Sequence, residues 1–157
     1  MIQKRIVIDT NVCLDLFVFR DPRWITLLDA LRSGELEAVT RDDCRTEWLM
    51  VLEYPHLPLD EQSRPGAISA FDSLISCLLP NDMPGRSDVR LPVCTDRDDQ
   101  KFLELARDSS AAILITKDKA LLKLAKRTAR AGMFQIMAPE KWIASWSSAQ
   151  TTLTAHG

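Results

Sequence analysis

The sequence predicts an α/β protein in which a mostly parallel sheet of four to five strands lies between two layers of helices, a three-layer α/β/α arrangement. Short runs such as Ile6-Val7-Ile8 and Ala111-Ala112-Ile113-Leu114-Ile115-Thr116 are apolar almost throughout, as strands buried on both faces of a parallel sheet must be. These runs alternate along the chain with stretches of helical periodicity, the pattern of successive β-α-β units. A third observation places a site. Asp9 follows the first strand at once, and in open α/β sheets ligands bind at the C-terminal ends of the strands.

After that strand, Val12 to Phe17 reads as a helix start. Residues 22–33 carry Ile25, Leu27, Leu28 and Leu31 before Gly34, a helix stop. Leu36 to Thr40 is a short second strand. Arg41 to Tyr54 reads as a helix with Cys44, Trp48, Val51 and Leu52 on one stripe, ended by Pro55 and Pro58. Asp60 to Leu79 reads as a longer helix, and Pro80 to Pro92 as a turn-rich, flexible loop. A third strand is expected within Val89 to Cys94, a helix over 98–107, the strand ending Ile115-Thr116, and one basic helix over 119–130. Phe134 to Met137 is the last strand and Pro139 to Trp146 the last helix. One domain is expected over residues 1–146, with 147–157 a disordered or frayed tail.

The 157 residues are 46% hydrophobic and 27% charged, ordinary for a globular protein with a real core. No apolar run reaches the roughly 20 residues that span a bilayer. The chain enters a strand directly, so no secretory signal and a cytoplasmic location are expected. Cys13, Cys44, Cys77 and Cys94 are widely spaced and read as small buried residues in a reducing compartment rather than a zinc site. With only His56 and His156, a His-based triad or metal centre is not expected. The net charge of −2 gives no global basicity, but Lys117 to Arg130 holds six bases and one acid. That run suits either a solvated helix face or a phosphate-binding surface.

Asp9 has company. Glu47 borders the apolar stripe of its helix, whereas Glu53 projects nearly opposite it. Asp99 lies one turn ahead of Phe102, Leu103 and Ala106, and Asp118 shares a face with Leu121, Leu122 and Ala125. Taken singly, each acid has a structural reading: Asp9 and Asp96 as helix caps, Asp99 and Asp118 as first-turn acids favoured by the helix dipole. Taken together, right-handed connections gather them at one sheet edge. Four ionised carboxylates there need cations between them. Oxygen ligands alone suit Mg²⁺ or Mn²⁺, and such a site suits phosphodiester hydrolysis. Repulsion of this kind predicts that Asp9→Asn stabilises the metal-free protein.

Ile8-Asp9-Thr10-Asn11-Val12, the inward Glu47, the stretch Cys94-Thr95-Asp96-Arg97-Asp98-Asp99-Gln100-Lys101-Phe102-Leu103 and Leu114-Ile115-Thr116-Lys117-Asp118-Lys119-Ala120-Leu121-Leu122 resemble PIN-domain nucleases. The closest resemblance is to the branch of toxin components of bacterial toxin–antitoxin systems, and it covers about Ile6 to Trp142. It implies a PIN-like α/β/α fold and Mg²⁺- or Mn²⁺-dependent cleavage of RNA, usually single-stranded. Carried over by position, Asp9, Glu47, Asp99 and Asp118 are the catalytic acids, with Asp9, Asp99 and Asp118 the metal ligands. Asp96 replaces or assists Asp99. Asn11 and Thr116 are polar supports hydrogen-bonding the acids. Many relatives have Gly before the last acid, where this chain has Lys117. Lys117, Lys123, Lys126 and Arg127 are the candidate substrate contacts. An antitoxin and a second copy in a homodimer are the candidate protein partners. Trp24, Trp48 and Phe19 either line a groove for a partner helix or belong to the core.

Three other readings stand beside this one. A haloacid-dehalogenase-like phosphatase also begins with an Asp after a buried strand but wants a second Asp two residues on, where this chain has Asn11. An RNA-processing nuclease without an antitoxin needs the same acids. A catalytically silent RNA- or protein-binding module would normally have lost some of them.

Overall fold

A computed structural model describes residues 4–85 and 88–156, with side chains described as far as Ser148. Strands β1 (Lys4–Ile8), β2 (Leu36–Thr40), β3 (Ile75–Cys77), β4 (Ile113–Ile115) and β5 (Gln135–Met137) form one parallel sheet in the order β3-β2-β1-β4-β5. The chain moves outward from β1 to β2 and β3, then returns to the other side of β1 for β4 and β5. The reversal puts the topological switch point, where such sheets bind ligands, between the C-terminal ends of β1 and β4.

Alternation along the strands makes two cores. Ile6 and Ile8 of β1, with Ile113 and Ile115 of β4, face one layer, while Val7 and Leu114 face the other. The first layer contains α1 (Thr10–Phe17), α2 (Ile25–Ser33), α4 (Arg64–Leu74) and α8 (Pro139–His156). The second contains α5 (Gln100–Asp108) and the short pair α6 (Lys119–Leu122) and α7 (Ala125–Arg130). Helix α3 (Asp42–Val51) joins the two, with Cys44 in the second core and Trp48 in the first.

Trp48 stacks on Phe71 of α4 at 4.9 Å between ring centroids, and Phe17 of α1 meets both rings edge-on. This cluster locks α3 against α1 and so fixes the neighbouring Glu47. Trp24 and Trp48 are core residues; Phe19 is exposed. Gly34 takes the left-handed conformation that ends α2 (φ 81°).

Several boundaries differ from those read in the sequence. The third strand is Ile75–Cys77, inside the stretch read as helix to Leu79, and 88–96 holds no strand. There the backbone is committed to α5 instead: Cys94 N–H donates to the Gln100 side chain, which itself donates to Pro92 O, and Arg107 donates to Val89 O. Gly85 N–H bonds Asp108 O at 2.7 Å, so the loop read as flexible is fastened along its described length. A Cβ at Gly85 would lie 1.9 Å from the Arg107 carbonyl oxygen. Gly85→Ala is therefore expected to displace this segment and to destabilise the fold by about 1–3 kcal/mol in chemical denaturation.

The single basic helix is two short ones, broken after Leu122. The last helix runs beyond Trp146, and the backbone of the expected tail continues it to His156; side chains 149–156 and Gly157 lie outside the described residues. Cys77 is exposed, unlike the other three cysteines. Among the described residues no helix is long and apolar enough to cross a membrane.

Candidate metal centre

Register brings the first and last acidic motifs together. Ile8 pairs with Ile115, and Asp9 N–H donates to Ile115 O at 2.9 Å, so Asp9 and Thr116 leave the sheet side by side. Thr116 Oγ1 donates to Asp9 Oδ2 (2.7 Å) and accepts from Asp118 N–H (2.9 Å), coupling the two motifs through one buried hydroxyl. Asp9 Oδ1 accepts from Thr10 N–H at 2.7 Å as the cap of α1. The cap reading and the site reading of Asp9 therefore hold together. Asp118 likewise caps α6, accepting from Ala120 N–H.

Asp99 ends the turn Arg97–Asp99 that leads into α5 and is 8% exposed. One oxygen each of Asp96, Asp99 and Asp118 lie within 4.8 Å of one another. Asp96 is exposed and caps the same turn through Asp98 N–H. Asp99 Oδ2 is buried with no hydrogen-bond partner, an expensive arrangement that a cation would relieve. Asp96 and Asp99 thus both come close to Asp118. The compact triad contains Asp96 and omits Asp9, whose two oxygens are each satisfied within the protein.

Electrostatics follow the geometry. Burial pushes the Asp99 carboxyl up to about 8, reinforced by hydrogen bonding with Asp118 and by the charges of Asp9, Asp118 and Asp96. Burial also lifts Asp9 to about 6, against the hydrogen bonds from Thr116 and Thr10, with Glu47 and Asp118 adding repulsion. Both folded-state values lie above 3.8, so the folded protein holds these protons more tightly than the unfolded chain. Their contribution is present at low pH and lost as pH rises through about 6 and about 8. The metal-free protein is expected to melt at lower temperature at pH 8.5 than at pH 6, and saturating Mn²⁺, which displaces the protons, to reduce that difference. The lowered Asp43 and Asp60 titrate below this window. Melting scans across the range check the sign.

Glu47 reaches the edge from α3 and is already partnered. Thr10 Oγ1 donates a short hydrogen bond to its Oε2, and Lys101 Nζ lies 2.8 Å from its Oε1. Burial works against the Lys101 charge, but the hydrogen bond and charge of Glu47 prevail and raise its pKa. Sequence reasoning missed Thr10 and Lys101 as parts of this edge. No local signal marked Lys101: it stands two residues after the Asp-Arg-Asp-Asp run, and Glu47 is far from it in the sequence.

Asn11 supports the site differently from the expectation. Its side-chain oxygen accepts from Lys117 N–H (3.4 Å) rather than bonding a carboxylate. Lys117 Nζ forms an ion pair with buried Asp15 at 2.7 Å, and the same Asp15 oxygen accepts from Trp24 Nε1 at 3.0 Å. Lys117 thus ties the loop carrying Asp118 back to α1. Asp15→Asn keeps the shape and removes the charge. It is expected to cost about 1–3 kcal/mol and to shift the Trp24 emission. Lys123, Lys126 and Arg127 are exposed.

This fold and this edge define an α/β protein with an acidic switch-point site. A family model described as a PIN domain matches residues 5–120, and the chain belongs to that family, whose members are generally metal-dependent nucleases. No curated protein matches the chain.

Proposed function

We propose that this chain is a Mg²⁺- or Mn²⁺-dependent endoribonuclease and the toxin of a toxin–antitoxin pair. The observation that carries the nuclease reading is the triad of oxygens within 4.8 Å, with the buried, unpartnered Asp99 Oδ2 among them. The donor set fits a hard divalent ion, because it offers carboxylate oxygens and no sulfur or imidazole. Asp96, Asp99 and Asp118 would hold the ion, which when bound supplies Lewis acidity and a water of lowered pKa. Asp9 aligns the site by fixing Thr116 and, through it, the Asp118 amide. Glu47 contributes through Lys101 and Thr10. The exposed bases of α6 and α7, immediately after Asp118, offer phosphate contacts to single-stranded RNA.

The toxin role draws on the resemblance and on the chemistry of control. An antitoxin that placed an Arg or Lys among the carboxylates would substitute for the metal's charge. A panel of structured and unstructured RNAs, incubated with Mn²⁺, Mg²⁺ or chelator, tests the activity: internal cleavage that chelator abolishes is expected. Expression with and without the neighbouring reading frame tests the toxin role. If the active nuclease is harmless alone and nothing co-purifies, it is an RNA-processing enzyme instead.

A further inference from the structure

Glu47 differs from the three clustered aspartates, because its charge is already met inside the fold. Its two oxygens take the Thr10 hydroxyl and the Lys101 ammonium. The ammonium is itself anchored: it donates to the Asp98 carbonyl, sits 5.4 Å from the Phe102 ring centroid, and belongs to a side chain only 19% exposed. The oxygens that approach one another closely enough to share an ion come from Asp96, Asp99 and Asp118, and Glu47 supplies none. Asp99 Oδ2, the buried oxygen without a partner, belongs to that group and not to the Glu47 pair. To join a metal's ligand set, Glu47 would have to give up Lys101, and a half-buried ammonium without its partner would then lie beside a divalent cation.

We propose that Lys101 is a resident cation of the acidic edge, which keeps Glu47 out of the metal's ligand set and limits the edge to one divalent ion, held by Asp96, Asp99 and Asp118. This rests on the metal-centre reading above. Glu47 and Thr10 then act as positioning residues for Lys101, and Glu47 does not touch the metal.

The test is to count bound Mn²⁺ and measure its affinity by calorimetry, with free Mn²⁺ read by electron paramagnetic resonance. Wild type takes up one ion. Lys101→Met frees Glu47 and gains a second ion or binds the first about tenfold more tightly. The double variant Lys101→Met/Glu47→Gln replaces an ion pair by a neutral pair, and binds one ion within about threefold of wild-type affinity. Two ions in wild type, unchanged binding in Lys101→Met, or a loss of about tenfold or more in the double variant overturns the proposal. If Lys101→Met does not fold, as judged by circular dichroism, the wild-type count and the double variant decide. No Mn²⁺ uptake by wild type is a separate result, which overturns the metal centre itself.

Discussion

Replacing Asp99 with Asn raises the melting temperature of the metal-free protein and removes the further rise that Mn²⁺ gives wild type. The side chain is buried, one of its oxygens has no partner, and its carboxyl is pushed up to about 8 by burial and by neighbouring acids. An amide keeps the shape and removes the charge. The expected gain above pH 8 is about 2 kcal/mol, or roughly 5 °C for a chain of this size. The loss of metal binding follows from mass action, since only the folded state of wild type presents the site. RNA cleavage falls by at least roughly 100-fold, because several kcal/mol of transition-state stabilisation depend on the ion. Asp9→Asn behaves otherwise. Charge repulsion alone suggests the same gain, but both Asp9 oxygens accept hydrogen bonds, from Thr10 N–H and from the Thr116 hydroxyl. An amide nitrogen in place of Oδ2 would turn the Thr116 hydroxyl from donor to acceptor and lose a charge-assisted bond worth about 1 kcal/mol, so the metal-free gain is smaller than at Asp99. Thermal scans of both variants, with and without Mn²⁺, separate the two cases.

The second large effect is electrostatic and lies at α6 and α7. The Lys123→Gln/Lys126→Gln/Arg127→Gln variant binds RNA more weakly and flattens the fall of affinity with salt. With three fewer phosphates neutralised on a single strand, the log–log slope falls by about two. These side chains are exposed, and Asp118 caps the helix that leads to them. The measurement is fluorescence anisotropy of labelled RNA across a salt series, made in an Asp99→Asn background so that the probe stays intact. An unchanged slope would assign these bases to an ordinary solvated face. The helix break after Leu122 leaves their exposure unaffected.

The acids were legible because each sits beside a strong local signal. Asp9 and Asp118 follow the apolar runs Ile6 to Ile8 and Ile113 to Ile115, and the structure pairs those runs directly. Glu47 was legible from helical phase alone, since Cys44 and Trp48 define the buried side of α3. The three-residue strand β3 was hidden because Ile75 and Leu78 extend the apolar spacing of the preceding helix, and only pairing with β2 makes it a strand. Val89 to Cys94 misled in the opposite sense: β-branched residues suggested a strand, yet the Gln100 and Arg107 side chains take its backbone groups. The lysine partners were beyond sequence reasoning. Lys117 reads as a substrate contact and Lys101 carries no reading at all, whereas the structure pairs them with Asp15 and Glu47 of other elements.

The acid that follows β4 and the two in the turn leading into α5 form the divalent-metal site. Anomalous diffraction from crystals soaked in Mn²⁺ tests it most directly. One strong peak is expected at coordination distance, about 2.0–2.3 Å, from oxygens of Asp96, Asp99 and Asp118. In that map the Lys101–Glu47 ion pair remains intact. A peak elsewhere on the surface, or an empty acidic edge at saturating Mn²⁺, would contradict it.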